Sequence, residues 1–214
     1  LSKNAAYGPV AAHVFETHGT YTVTLYVYHI NSSGGISMKS VVGTSQITVT
    51  DPDTVFASNT VYVSQSGVPV AGVGGVPSGA NVQQVATWTG LNALSSTYKR
   101  IFLKRGDVWA TDGTVTLSAG AGILAAYGTG AAPQAVISGP HYAISLGSSN
   151  DWRLIDLDIT ADLEDSNSKI AIGAAASNTL ILRCNLHFVQ AGVLSSYPTD
   201  GLYIVDTVID TTFS

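Results

Sequence analysis

Arg183 and His187 stand four residues apart across the end of an apolar run, and together they could move a proton. An imidazole takes up a proton near neutral pH, and a guanidinium neutralises a carboxylate or a developing oxyanion beside it. Asp162, Glu164 and Asp165 gather three carboxylates in one polar stretch. Calcium is the cation such oxygens would take, although their spacing is not that of an EF-hand or a Gly-Asp repeat, and a solvated loop is the ordinary alternative. Asp156 and Asp206 fall at equivalent places in a repeat described below. Paired carboxylates can do acid–base work, whereas a column of them at strand ends is ordinarily a ladder of polar turn residues. Lys104, Arg105 and Asp107 form a further charged cluster. His13, His18 and His29 match no ligand spacing and have no cysteine or carboxylate completing a set, so they read as strand and turn residues. The single cysteine, Cys184, lies within Leu180-Ile181-Leu182-Arg183-Cys184 and reads as a small buried hydrophobe.

The background to these residues is unusually uncharged. Of 214 residues, 45% are hydrophobic and only 11% are charged, against a usual charged share of roughly 25%. Ser, Thr, Asn, Gly and Ala must therefore cover the surface, which suits an extracellular, cell-surface or virion-surface protein. Nine basic residues against fourteen acidic ones, for a net charge of −5 with no basic cluster, exclude a nucleic-acid binder built on phosphate neutralisation. No apolar run approaches the ~20 residues needed to span a bilayer. The chain opens on Leu1 rather than Met and is expected to be incomplete at that end.

Residues 21–28, Tyr-Thr-Val-Thr-Leu-Tyr-Val-Tyr, alternate with a period of two. Tyr21, Val23, Leu25 and Val27 are expected to face a core and Thr22, Thr24, Tyr26 and Tyr28 to face solvent. His13-Val14-Phe15 reads as a short strand, Asn31 to Gly35 as a loop, and Val41-Val42 and Gln46 to Thr50 as further strand material. Asp51-Pro52-Asp53 reads as a linker. The run from His13 to Val27, with Gly19, Tyr21, Val23, Leu25 and Val27, resembles the PKD domain, a small immunoglobulin-like β-sandwich, over about residues 5–50. The Trp-x-Phe-Gly-Asp-Gly segment that precedes it in that family is missing, so residues 1–53 are expected to be an N-terminally incomplete sandwich. The resemblance implies a spacer or carbohydrate-proximal module.

Three later segments align without gaps: Ser149 to Asp156, Ser177 to Cys184 and Thr199 to Asp206. The alignment makes Trp152, Leu180 and Leu202 equivalent, and likewise Leu154, Leu182 and Ile204, with Asp156, Cys184 and Asp206 closing each unit. A preceding strand carries Ile144, Ile172 and Leu194 at matching places. Units of this length with two or three short strands predict a β-solenoid, because one coil cannot bury its inward side chains alone and stacked coils can. Thr60 to Gly67 reads as its opening strand. Val85, Trp88, Leu91 and Leu94 recur at spacing three, which predicts a short helix capping the first coil.

Arg100 to Trp109 and Ile123 to Pro133, the latter with Tyr127-Gly128-Thr129-Gly130, resemble the first coils of the pectate-lyase-like superfamily of right-handed parallel β-helices. The resemblance covers about residues 60–214. Residues 54–214 are therefore expected to be a β-helix with an N-terminal cap, C-terminally incomplete because no closing cap follows the last coils. In that family the segment holding Lys104, Arg105 and Asp107 is scaffold, and Asn185 matches a structural turn asparagine. The resemblance implies polysaccharide as the ligand. Lyases of the fold abstract the proton beside a uronate carboxylate with a Lys or Arg base, often with calcium, and hydrolases of the fold use paired aspartates. Those residues generally lie on later coils. Tyr142, Tyr197 and Tyr203 could stack on sugar rings, and His141, after a Gly-Pro turn, reads as exposed. Two functions are expected from this: a structural or adhesive fibre- or spike-like segment facing carbohydrate and assembling with other copies or chains, or the N-terminal part of a secreted polysaccharide lyase or depolymerase.

Overall fold

In the computed structural model the described residues are 15, 17–118, 121–139, 142–147, 149–161, 169–174, 178–195 and 201–210. The chain forms two compact units, Leu1–Val55 and Phe56–Ser214.

The first unit is a long antiparallel hairpin of β1 (Gly19–Ile30) and β2 (Ile36–Val49). Asn31 builds its turn: its side-chain oxygen accepts from the Ser33 and Gly35 amides at 3.1 and 2.8 Å, and Gly34 takes the left-handed φ of 79°. The pairing slips between Leu25 and Tyr26, so Tyr26 faces Val41 while Leu25 faces Gly43. The two β2 segments expected from sequence are thus one strand bent at a bulge. Phe15 is not in a strand, and it packs on Tyr21 at a ring distance of 4.4 Å. Val23, Leu25 and Val27, expected inside, are exposed, because two strands alone cannot cover an apolar face. The residues read as a linker form a helical turn, α1 (Pro52–Val55). Asp51 caps it, accepting from the Asp53 amide at 2.9 Å and the Thr54 hydroxyl at 3.1 Å.

The second unit is a parallel β-solenoid. Its first coil comprises β5 (Arg100–Lys104), β6 (Val108–Thr111) and β7 (Val115–Thr116). The second comprises β8 (Gly122–Tyr127), β9 (Gln134–Ile137) and β10 (Tyr142–Ser145). The third comprises β11 (Trp152–Ile155), β12 (Asp158–Ala161) and β13 (Ile170–Gly173). The fourth comprises β14 (Thr179–Leu182), β15 (Asn185–His187) and β16 (Ala191–Leu194), and β17 (Leu202–Val205) and β18 (Val208–Asp210) begin a fifth. Corresponding strands stack into three sheets: I (β5, β8, β11, β14, β17), II (β6, β9, β12, β15, β18) and III (β7, β10, β13, β16). Sheet I is extended at the other end by β3 (Thr60–Ser64) and β4 (Asn81–Gln84), with β4 as its outermost strand.

Every pair in these sheets is parallel, so one inward residue per rung sits above the next at a spacing of about 4.8 Å. In sheet I the column runs Val61, Ile101, Leu124, Leu154, Ile181, Ile204. Trp109, Ala135, Ile159, Leu186 and Ile209 form the column of sheet II, and Val115, Ile144, Ile172 and Val193 that of sheet III. Each Leu or Ile so covered contributes about 1.5–3 kcal/mol of hydrophobic stabilisation.

The fourth coil departs by one residue from the expected alignment. Leu154 stacks on Ile181, not Leu182, and Ile181 on Ile204. Trp152 is equivalent to Thr179, and Ile172 pairs with Val193, not Leu194. The left-handed residue before β11, β14 and β17 sets this register: Asp151 (φ 65°), Asn178 (φ 55°) and Gly201 (φ 78°) are stacked. The gap-free alignment matched Asn178 to Asn150 instead. Three successive apolar residues, Leu180 to Leu182, concealed the slip, since either phase supplies a leucine or isoleucine to the core.

The capping helix, α2 (Leu91–Thr97), buries Leu91 and Leu94 but starts later than the spacing predicts. The Thr89 hydroxyl and amide donate to Asp112 at 2.6 and 2.8 Å, which fixes a turn before the helix and holds the Asp112 carboxyl below its ordinary range. Trp88 lies in that turn. Its indole N–H donates to the Ala143 carbonyl at 2.7 Å, and its ring lies 6.0 Å from that of Trp109.

Candidate functional site

The turn between sheets I and II gathers the charges. Asp156, Arg183 and Asp206 occupy equivalent positions on successive coils, all left-handed, with φ of 58°, 52° and 48°. Cys184 is not in that column. It follows one residue later, pointing inward at the level of Leu157 and Thr207, and its amide donates to the Thr207 hydroxyl oxygen at 3.3 Å. The one-residue slip of the fourth coil places Arg183, not Cys184, level with Asp156 and Asp206.

Asp156 is the hub of this column. Its Oδ1 accepts from Arg183 Nε at 2.7 Å, and its Oδ2 accepts from Arg183 Nη2 at 3.3 Å and from Arg105 Nη2 at 2.9 Å. Three coils are thereby laced by one carboxylate held between two guanidiniums. Because Asp156 is only 21% exposed and is shared by two guanidiniums, these pairs should outweigh ordinary surface ion pairs. Asp156→Ala is expected to lower solenoid stability by about 2 kcal/mol, and Asp156→Asn by about half that, since asparagine tolerates the left-handed backbone and alanine does not. Chemical denaturation of both variants checks this. Equal losses would show that backbone strain plays no part.

His187 sits on the outward side of sheet II, opposite buried Leu186. Its Nε2 lies 2.8 Å from Asp158 Oδ1, and it is in register with Thr160 and Asp210. Gln134, Asp158 and Asn185 make a parallel outward row beside it. Arg183 and His187 are thus each bonded to a different carboxylate, on either side of the turn. Asp158 was not singled out in the sequence. The signal lay in Asp156-Leu157-Asp158, where a buried leucine separates a turn carboxylate from an outward one.

The other expected cluster also separates. Arg105 reaches Asp156, while Asp107 is buried and accepts from the Gln65 amide at 2.7 Å. Lys104 points outward beside Tyr127. Asp162, Glu164, Asp165, His13, His141 and Tyr197 lie outside the described residues. Among the described residues no three His, Cys, Asp or Glu side chains are placed to hold a metal. His18 is exposed, and His29 Nε2 lies 3.5 Å from the Ser40 hydroxyl. Tyr203 is 61% exposed on sheet I, and the Tyr142 ring fills the space above Gly173.

Burial pushes the Cys184 thiol up to about 11. Only the thiolate is nucleophilic, so Cys184 is expected to resist a thiol reagent at pH 8 until the solenoid opens. A colorimetric thiol assay in native buffer and in denaturant checks this, and rapid native labelling would contradict the inward position.

No helix among the described residues is long and apolar enough to cross a membrane. No protein-family model matches the chain, no curated protein matches it, and no solved structure matches it.

Proposed function

We propose that the chain is a structural and adhesive segment of an extracellular, cell-surface or virion-surface protein: a PKD-like spacer followed by a right-handed pectate-lyase-like β-helix that faces carbohydrate. The observation that carries this reading is the mutual pairing of the solenoid's candidate catalytic groups. Both Arg105 and Arg183 are bonded to Asp156, and His187 is bonded to Asp158. Pairing of this kind stiffens a shaft. It does not present an unpaired base to a substrate. The outward rows of sheet II, Gln134-Asp158-Asn185 and His187-Asp210, repeat polar groups at the rung spacing of about 4.8 Å. They offer alternating donors and acceptors to the hydroxyls of a sugar chain lying along the solenoid.

A glycan panel probed with the full chain tests the reading. Binding to at least one polysaccharide is expected, weakened by Asn185→Ala and Asp158→Ala, with no cleavage of the bound polymer. Failure to bind any member of a broad panel would overturn the carbohydrate assignment.

One observation favours a second reading. The 2.8 Å His187–Asp158 contact on an outward face is the arrangement of an oriented imidazole base. On that reading the chain belongs to a polysaccharide lyase or depolymerase. Incubation with uronate polymers, read as new ultraviolet absorbance from eliminative cleavage, decides between them. Cleavage abolished by His187→Ala would replace the adhesive reading with the enzymatic one.

A further inference from the structure

Between β3 and β4 the chain does not run directly from one strand to the next. Residues 65–80 fold over the outer face of sheet I instead. Val76 is buried there against Tyr62 and Tyr127, whose rings meet edge to face at 5.1 Å. The Gln65 amide, bonded to Asp107, fixes one end of the loop. Its middle is fixed by a backbone approach that only glycine allows. A Cβ on Gly75 would lie 3.3 Å from the Gly128 nitrogen, and a Cβ on Gly128 would lie 3.2 Å from the Gly74 carbonyl oxygen. Gly74, Gly75 and Gly128 all have positive φ, so side chains there would be strained as well as crowded.

This loop and the sheet border a half-open cleft of about 370 Å³ lined in part by Ser64, Ser66, Val68, Val70, Lys104 and Tyr127. That volume lies at the lower end of small-molecule sites. Two of its polar groups have no partner among the described residues. Lys104 is exposed, with no carboxylate or hydrogen-bond acceptor placed on its ammonium. The Tyr127 hydroxyl is buried and forms no hydrogen bond. Lys104 and Tyr127 are direct neighbours in register on β5 and β8 and so share the outer face. A buried hydroxyl left unbonded costs free energy that a bound acceptor would recover. Desolvation, with the charge of Asp107, pushes the Tyr127 hydroxyl up to about 12, so it stays protonated and can donate. Val68 and Val70 are exposed at the rim and offer an apolar wall.

We propose that this cleft binds a small organic monocarboxylate with an apolar body, its carboxylate held by the Lys104 ammonium and the Tyr127 hydroxyl and its body lying against Val68 and Val70. One cation matches one carboxylate, and the valines disfavour a compact inorganic ion. The site is independent of the outward rows of sheet II.

The test is a titration of the isotope-labelled full chain with benzoate, followed by amide chemical shifts, with benzamide and sulfate as controls. Saturable shifts are expected around residues 64–70, 104 and 127, with a dissociation constant on the order of 1 mM, as suits so small a ligand. Benzamide and sulfate are expected to bind at least tenfold more weakly. Lys104→Met and Tyr127→Phe should each weaken benzoate at least tenfold. Neither change should harm the fold: Lys104 is exposed, and Tyr127→Phe removes a hydroxyl that has no partner, so the unliganded melting temperature should stay level or rise. Non-saturable shifts, equal binding of benzamide or sulfate, or undiminished binding by Lys104→Met would each overturn the proposal.

Discussion

Trp152→Ala is expected to be among the most damaging single changes to the solenoid, removing about 3–5 kcal/mol of stability. The indole is fully buried at the head of β11, and its N–H donates to the Ser118 carbonyl at 3.0 Å. Truncation would open a cavity between the second and third coils and leave the half-buried Ser118 carbonyl without its donor. Its equivalents on neighbouring rungs, Gly122 and Thr179, are too small to fill that space. Coils touch only their neighbours, so the loss should fall mainly on the coils that adjoin the gap. Hydrogen exchange would register it as lost protection in β8, β11 and β14, alongside a lower denaturation midpoint. Unchanged protection in those strands would contradict the stacking described above.

Gly122→Ala should be nearly as harmful for the opposite reason, costing about 1–3 kcal/mol through overpacking. A Cβ at Gly122 would lie 2.5–2.7 Å from three atoms of the Trp152 ring, closer than any relaxed contact, and the ring is hemmed in by the core. The two changes should not add. With the indole gone the new methyl has room, so Gly122→Ala/Trp152→Ala should be no less stable than Trp152→Ala alone. A double-mutant cycle by denaturation measures this coupling. Simple additivity would show that residue 122 crowds something other than Trp152.

Both predictions rest on which residue lies above which, and that was only partly legible in advance. The alternation in residues 21–28, the polar turns and the recurring apolar pairs each report a strand or a corner from within a few residues, so strands and stacked coils could be read directly. The equivalence of Trp152 with Leu202 and of Leu154 with Ile204 could also be read, because those coils share one turn pattern. The coil between them could not be placed. Its leucine-rich strand satisfies the core in two phases, and the choice falls to Asn178, whose left-handed backbone matches Asp151 and Gly201.

The charged groups followed the same division. Spacing along the chain brought Arg183 together with His187 and Lys104 with Arg105. The fold separates both pairs, because a turn or a pleat sends adjacent side chains to different faces. Asp156 meets Arg105 and Arg183 across distances of 51 and 27 residues, and Asp158 meets His187 across 29.

Local pattern by itself determined that this chain makes β-strands, where they turn, and that the turns stack. Only the tertiary structure decided the register of the stack, the hub at Asp156 and the Lys104–Tyr127 cleft. Those features depend on contacts between coils, and a one-residue change in a turn moves every such contact while leaving the local pattern intact.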